Sequence, residues 1–221
     1  MKYCAILLGS FSLLCGDQVE ELKEDVCDIL PDVDGWCSEE KALNFIDLVL
    51  EVKPNLCVEI GVFAGASLIP VASALKYLGH GMIIAIDPWD KVECIRYLDP
   101  DKDRKDLQWW GDIRIDHIYF AYLNNLRRYE LDKVCLTLRA TSEKVAPLIG
   151  AIDILYIDGN HYEDIVKRDV ELYGSKVRPG GYIWLNDAKW PGMKAAVELL
   201  EQSCDVVKSI ENGSCVLFQK R

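Results

Sequence analysis

The sequence carries little positive charge and almost no clustering of it. Its 221 residues include 25 lysines and arginines against 36 acidic residues, a formal net charge of −11, and no basic run is longer than pairs such as Arg127-Arg128. A phosphate backbone needs a basic surface, so nucleic acid is not the expected substrate. Half of the residues are hydrophobic, which is enough for one α/β domain with a sizeable core.

The sequence also lacks any cysteine pattern that carries chemistry. No two of the nine cysteines form a Cys-x-x-Cys pair, and their number is odd. Several lie within apolar runs such as "LCVEI" and "VCLTL". This usage is typical of small buried side chains in a reducing compartment, and it argues against both a zinc site and a disulfide framework.

No apolar run after residue 16 is long enough to span a bilayer. In residues 1–16, Lys2 is followed by mostly apolar residues, as in a secretory signal peptide. Leu14-Cys15-Gly16 is a poor cleavage site, and the alternative is a hydrophobic N-terminal helix that packs on the domain. Both interpretations stay open, and export through this segment remains the alternative to a cytoplasmic protein.

Residues 17–55 predict two helices that precede the main domain. The apolar residues of 17–30 form one helical stripe, which Pro31 ends. A second helix is expected from an N-cap at Ser38 to Lys53, before Pro54. We expect both helices to cap the domain, and we expect Trp36, like Trp184 later in the chain, to lie in the core.

From residue 56 to 221, apolar strand patterns alternate with helical ones. The strand patterns cover 56–62, 82–87, 133–140, 152–158 and 181–187. Near-continuous apolar strands of this kind form a parallel sheet with helices on both faces. Two more strands, "CDVVKSI" and "CVLFQK", flank Asn212-Gly213, a two-residue hairpin signal. The fold class is therefore α/β, a Rossmann-like doubly wound sheet of seven strands with an antiparallel C-terminal hairpin strand.

Residues 88–111 fit no regular period and are long for a connection between a strand and a helix. They follow the carboxyl end of a strand, where open α/β sheets bind their ligands. We interpret this insert as a lid or a substrate-selecting segment, with an irregular surface loop as the alternative.

A glycine loop follows the first strand of the sheet, in "VEIGVFAGAS". Gly61 and Gly65 can turn where φ is positive and leave room for a ligand, or they can serve tight packing alone. Phe63 stands where a dinucleotide fingerprint requires glycine. Glu59 adds a negative charge that would repel a pyrophosphate and attract a cation.

The second strand of the sheet ends in "IIAIDPW". Its terminal Asp87 is placed to accept the two ribose hydroxyls of a nucleoside. Trp89 offers a flat face on which an adenine could stack.

The segments "VEIGVFAGAS", "IIAIDPW", "LYIDGNHYE" and "KVRPGGYIWLND" resemble class I S-adenosylmethionine-dependent methyltransferases in order and spacing. The particular resemblance is to small-molecule O-methyltransferases of the macrocin and catechol types and to cephalosporin-hydroxylase-like proteins, over roughly residues 40–221. It implies S-adenosylmethionine as cofactor, with the ribose on Asp87 and the adenine near Thr141 and Ser142. It also implies a cradle for the methionine part, formed by Glu59, Gly61, Phe63, Gly65 and Ser67.

Two later strands of the sheet end in acidic residues. Asp158 ends one strand, and Asn186 and Asp187 end the next. Clustered oxygen ligands at a sheet edge suit Mg²⁺, which could lower the pKa of a substrate hydroxyl. In the metal-dependent relatives, Asp158 and Asp187 match ligands, but Ala188 stands where catechol-type enzymes have a third one. Asn186 is the remaining candidate, and the alternative is a metal-free site in which Asp187 orients the substrate.

His161 lies three residues after Asp158. Catechol-type enzymes have a catalytic lysine there, and an imidazole that titrates near neutrality can take a hydroxyl proton as the methyl group transfers. We therefore interpret His161 as the base and Asp158 as its catalytic neighbour, with a packing role for His161 as the alternative.

The expected activity is methyl transfer from S-adenosylmethionine to a hydroxyl oxygen of a small molecule such as a sugar or a phenol. An inactive cofactor-binding protein and, less favoured, a nicotinamide-dependent oxidoreductase are the alternatives. Because the cofactor is made in the cytoplasm and the cysteines are unpaired, we expect a cytoplasmic enzyme. A homodimer is compatible with the sequence, which does not fix the oligomeric state.

Overall fold

The computed structural model describes residues 4–221, with side chains from residue 16 onward. The choice between a signal peptide and a packed helix for residues 1–16 therefore falls largely outside the described residues. In the part of the chain that is described, no helix combines the length and apolar character needed to cross a membrane.

Two helices precede the sheet. Helix α1 (Cys4–Ile29) leads into a short 3-10 turn, and α2 (Glu39–Val52) follows. The predicted N-cap of α2 is confirmed, because the Ser38 hydroxyl accepts a hydrogen bond from the backbone N–H of Lys41. The helix ends at Lys53, which adopts a left-handed conformation with φ of 49° just before Pro54.

The predicted seven-stranded sheet is confirmed. Its strands are β1 (Leu56–Ile60), β2 (Met82–Asp87), β3 (Cys135–Arg139), β4 (Ile152–Ile157), β5 (Val177–Leu185), β6 (Cys204–Ile210) and β7 (Cys215–Lys220). Their order in the sheet is β3-β2-β1-β4-β5-β7-β6. The first five strands pair in parallel, and β7 pairs antiparallel with both β5 and β6. Strand β1 therefore lies between β2 and β4. The carboxyl ends of all three strands lie at one edge of the sheet, which is called the carboxyl edge below.

Helices cover both faces of the sheet, as predicted. One face packs against α1, α2, α3 (Leu68–Leu78) and α6 (Ile115–Arg128), and the other against α7 (Ser142–Val145), α8 (Glu163–Gly174) and α9 (Lys194–Glu201). Strand β1 contributes Cys57 to the first face and Val58 to the second. This alternation is the two-residue period of a strand that is buried on both sides.

Asp153 fixes the start of β1 against β4. Its carboxylate accepts hydrogen bonds from the backbone N–H groups of Asn55 and Leu56, at 2.6 and 2.9 Å, and forms an ion pair with Arg178. Because the side-chain period of a strand is two residues, this anchor helps to fix which side chains reach the carboxyl edge.

Two connections differ in detail from what the sequence suggested. The insert 88–111 is not the irregular surface loop given as the alternative, since α4 (Lys91–Ile95) and α5 (Arg104–Asp112) lie in or overlap it. Its interpretation as a lid or substrate-selecting segment stays a prediction. The short α4 begins at Asp90, whose carboxylate accepts N–H bonds from two following residues. The C-terminal hairpin forms, but its loop has four residues and not the two predicted, because the last paired residues are Ile210 and Cys215. Within this loop, Glu211 and Asn212 adopt positive φ.

A row of buried polar side chains lies under α2. Glu59, Tyr156 and Trp184 are direct neighbours across β1, β4 and β5, and each is 2% exposed or less. One Glu59 carboxylate oxygen accepts from the Ser67 hydroxyl. Among the described residues, the other oxygen, the Tyr156 hydroxyl and the Trp184 indole N–H have no hydrogen-bond partner, and these three residues line one small cavity of about 10 Å³. Burial raises the pKa of Glu59 to about 8, although the bond from Ser67 opposes this effect.

The raised pKa of Glu59 predicts a pH-dependent stability. Between pH 4.5 and about 8 the folded protein keeps a proton that the unfolded chain has released, so stability falls as the pH rises through this range. We expect the Glu59→Gln variant to lose this contribution, whose slope is at most about 1.4 kcal/mol per pH unit. Urea unfolding of both proteins from pH 5 to 8 measures it, with the exposed Glu51→Gln on α2 as control. Parallel stability curves for wild type and Glu59→Gln would contradict it.

Candidate active site

The loop between β1 and α3 needs both of its glycines for conformation and packing. Gly61 and Gly65 have φ of +83° and +93°. A Cβ at Gly61 would overlap the backbone of Asp158, because the end of β4 runs against the loop. A Cβ at Gly65 would lie 3.1 Å from the Tyr122 ring. The packing interpretation of these glycines is therefore sufficient, and they hold the loop close to the ends of its neighbouring strands.

Asp87 ties the end of β2 to this loop. One carboxylate oxygen accepts N–H bonds from Val62 and Phe63, at 2.9 and 3.1 Å, and the other accepts from Trp89 at 2.7 Å. Burial raises the pKa of Asp87, and the three backbone bonds oppose the rise. A carboxylate has about four acceptor positions, so roughly one remains for a ligand hydroxyl. That Asp87 binds the ribose stays a prediction, and these three bonds leave room for one of the two ribose hydroxyls.

Trp89 lies in the core, which corrects its predicted role as an adenine platform. Its side chain is fully buried, and its ring stacks on Tyr122 at 4.9 Å and contacts Tyr119 at 4.8 Å. The indole N–H donates to the carbonyl of Phe63 at 2.7 Å. With both faces enclosed, the ring supports the glycine loop from below.

The other predicted cofactor residues divide into enclosed and accessible ones. Glu59 and Ser67 are buried and bonded to each other. Ser142 donates its hydroxyl to Asp169 of α8, so this hydroxyl is not free for an adenine. Gly61 and Phe63 of the loop are partly exposed, as are Thr141 and Ser142 after β3.

Asp158, His161 and Asp187 converge at the carboxyl edge. Each of the three side chains has one atom that could ligate a metal ion, and these atoms lie within 4.8 Å of one another. His161 Nε2 is 3.1 Å from an Asp187 carboxylate oxygen, in an ion-pair contact. The His161 contact lowers the pKa of Asp187, whereas burial raises the pKa of Asp158 to about 6. The structure thus brings the strand-end acids Asp158 and Asp187 together with His161, the predicted base.

Asn186 does not fit the predicted role of a magnesium ligand. Its amide oxygen accepts from Lys41 Nζ at 2.8 Å. Its amide nitrogen donates to Asp158 at 2.7 Å and to Asp187 at 3.2 Å. A donor group therefore faces the two carboxylates where the predicted ligand set, Asp158, Asn186 and Asp187, requires an acceptor.

Lys41 is the residue of this site that the sequence analysis missed. Its side chain is only 4% exposed, and Nζ also donates to the carbonyl of Trp36 at 3.0 Å. The signal was a lysine spaced four residues from Phe45 and seven from Leu48, on the buried stripe of α2. A charged residue on an apolar stripe needs a specific partner.

Exposed aromatic rings surround the carboxyl edge. Trp36, predicted in the core, is 64% exposed and contacts Phe63 at 5.2 Å and Trp109 of α5 at 5.6 Å, whereas Trp184 is buried as predicted. Trp190, 52% exposed, lies 4.7 Å from the His161 ring. The insert thus reaches the glycine loop through Trp109, and the edge presents flat apolar surfaces.

Known structures share this fold. The chain has a TM-score of 0.61 and 15% identity to an S-adenosylhomocysteine-bound methyltransferase of Podospora anserina, covering 100% of this chain and 98% of that one. TomG, an O-methyltransferase of Streptomyces achromogenes solved with S-adenosylmethionine, gives a TM-score of 0.61 at 15% identity. The match covers 90% of this chain and 89% of that one. An O-methyltransferase of Bacillus cereus gives a TM-score of 0.59 at 14% identity, and the match covers 90% of this chain and 91% of that one. At these identities the likeness shows the fold.

Sequence comparisons give the family. The chain is 30% identical over 130 residues to the uncharacterized protein R132 of Acanthamoeba polyphaga mimivirus. The aligned region covers 59% of this chain and 50% of that protein. The chain therefore spans about half the length of this curated relative. A family model described as a methyltransferase domain matches residues 58–188, more than half of the chain. The family predicted from the motifs is confirmed, and the chain belongs to the methyltransferase-domain family.

Proposed function

We propose that this protein transfers the methyl group of S-adenosylmethionine to a hydroxyl oxygen of a small molecule. The observation that carries the proposal is the convergence, at one sheet edge, of the glycine loop, Asp87, Asp158 and the His161–Asp187 pair. Gly61 donates its N–H to the carbonyl of Ile86 at 2.9 Å, so the loop begins beside the end of β2. The same edge binds ligands in other open α/β sheets.

The charge of this edge supports a cationic cofactor. Asp87 and Asp158 are partly exposed there and supply the negative charge. Glu59, behind the loop, adds little charge near pH 7, because burial raises its pKa to about 8. When bound, S-adenosylmethionine supplies a methyl group on a positively charged sulfur, which leaves as a neutral thioether. An acidic edge favours this cation and an α-ammonium group, and it disfavours the pyrophosphate of a dinucleotide.

His161 is the proposed proton acceptor. Its Nε2 faces Asp187 and is shielded from solvent, while the side chain as a whole is 29% exposed. Nδ1 is therefore the ring nitrogen left to take the acceptor's hydroxyl proton, and Asp187 stabilises the imidazolium that forms. The hydroxyl oxygen forms the new bond to the methyl carbon as the proton moves to His161.

The proposal includes no metal step, because Asn186 presents a donor to the carboxylates. For the acceptor, we favour a planar hydroxylated compound such as a phenol over a sugar. The exposed rings of Trp36, Trp109 and Trp190 around the edge provide stacking surfaces. We further propose, from the sequence alone, that the enzyme acts in the cytoplasm.

The direct test combines binding and transfer. Calorimetry with S-adenosylhomocysteine measures cofactor binding, and a labelled-methyl assay on parallel panels of phenols and sugars, with and without chelator, measures turnover. We expect binding, and transfer to a phenol that survives chelation. Cofactor binding with no transfer to any acceptor would instead indicate a cofactor-binding protein that has lost its activity.

Replacing His161 tests its role as the base. We expect His161→Ala to lower kcat by about 10²–10⁴-fold, because no other group takes the hydroxyl proton as efficiently. Affinity for S-adenosylhomocysteine should stay within a factor of about two. The matched control is His80→Ala, which changes an exposed histidine in the turn before β2. An equal loss of affinity and turnover in His161→Ala would contradict this role.

Replacing Asp87 tests the cofactor side of the edge. Asp87→Ala leaves three loop N–H groups without their acceptor and removes the remaining position for a ribose hydroxyl. We expect affinity for S-adenosylhomocysteine to fall by at least about tenfold, measured by calorimetry. The control is Asp90→Ala, which removes the exposed N-cap of α4 three residues further along the chain and leaves the Asp87 carboxylate in place. Unchanged affinity in Asp87→Ala would refute the placement of the cofactor.

A further inference from the structure

Lys41 brings a buried positive charge to the carboxyl edge from outside the strand-and-loop framework. It belongs to α2, which precedes the residues matched by the family model. Its Nζ has three neighbours: the Asn186 amide oxygen at 2.8 Å, the Trp36 carbonyl at 3.0 Å and a Glu211 carboxylate oxygen at 3.6 Å. A buried ammonium group needs such partners, since burial without them is costly.

The ammonium group determines the orientation of the Asn186 amide. Lysine has only donors, so the amide must turn its oxygen toward Lys41 and its nitrogen toward the carboxylates. That nitrogen donates to Asp158 and to Asp187. Lys41 thus acts on both acids through one side chain, and it holds the edge in a geometry that offers a metal ion fewer free acceptors.

The protein supplies a cation of its own at this edge. The Lys41 ammonium group lies beside the Glu211 carboxylate and is linked through Asn186 to Asp158 and Asp187. Although burial alone lowers the pKa of Lys41, the acidic groups around it, Asp158 first, raise it overall, which keeps the amine charged.

We propose that Lys41, acting through Asn186, takes the place of a divalent metal ion at the carboxyl edge. It is a positioning residue, which holds Asp158 and Asp187 in place for the reaction and leaves contact with the substrate to His161. Only the link to catalysis rests on the proposed function. The claim about cation occupancy concerns the chain itself and can be tested by binding alone.

The test is Mn²⁺ binding to the full chain, followed by the loss of the electron paramagnetic resonance signal of the free ion. At about 1 mM Mn²⁺, wild type and Asp187→Asn should give the same signal, because the edge does not hold the ion. Mn²⁺ bound by wild type and lost in Asp187→Asn would overturn the proposal. This comparison does not require any variant of Lys41 to fold.

A gain of binding tests the role of Lys41 itself. Lys41→Met combined with Asn186→Asp removes the ammonium group and supplies a third carboxylate, and we expect at least about tenfold tighter Mn²⁺ binding than in wild type. The control is Lys76→Met, because Lys76 also contacts one carbonyl and one carboxylate, at Tyr129 and Glu130, but lies away from the edge. A folded double variant with no gain over wild type would overturn the proposal.

Calorimetry with S-adenosylhomocysteine in metal-free buffer separates the two proposals. If S-adenosylhomocysteine gives no heat of binding, the result counts against the proposed function. The Mn²⁺ experiment can still be interpreted, because it does not depend on cofactor binding. Methyl transfer that stops on chelation and returns with Mg²⁺ would count against Lys41 as the resident cation while leaving methyl transfer itself intact.

Discussion

The site depends on the pairing of β1 between β2 and β4. Parallel hydrogen bonds on both sides of β1 bring the ends of these strands to one edge, where Gly61 follows Ile60, beside Asp87 and Asp158. The approach of β4 is so close that position 61 admits no Cβ. One packing constraint therefore explains the glycine, the shape of the loop and the position of two carboxylates. Asp153 reinforces the pairing at the opposite end of the strands.

The carboxylates at this edge are held by hydrogen bonds and contacts from other groups of the protein. Asp87 is held by three backbone N–H groups, Asp158 and Asp187 share the amide nitrogen of Asn186, and Asp187 also contacts His161. Because Asp158 and Asp187 share one amide group, each constrains the position of the other. The result is an acidic edge that is open to a cation on the cofactor side and internally compensated on the substrate side.

Sequence reasoning predicted the parts of the structure that depend on local pattern. The apolar strands, the cap at Ser38 and the acids at the strand ends followed from period and spacing, and the structure brings Asp158, His161 and Asp187 together. It was wrong about Trp36 and Trp89, because the exposure of an aromatic ring depends on tertiary packing. It missed the helices of the insert, whose short segments carry too few residues for a period to appear.

Two further differences arose from side-chain partners that are distant in sequence. Asn186 has the right atoms for a metal ligand, and only Lys41, 145 residues earlier, turns its oxygen away. Asp87 has the capacity for two hydroxyls until the N–H groups of Val62 and Phe63, in the loop after β1, are counted. Such assignments depend on which hydrogen bonds a side chain has already made, and this information exists only in the folded chain.

The central claim is that a sulfonium donor and a hydroxyl acceptor meet at this edge. A crystal structure of the complex with S-adenosylhomocysteine tests it most directly. The account predicts the ribose beside Asp87, the methionine part along the loop of residues 61–67, and the sulfur directed toward His161. A bound molecule whose sulfur lies away from His161, or whose ribose lies away from Asp87, would contradict it.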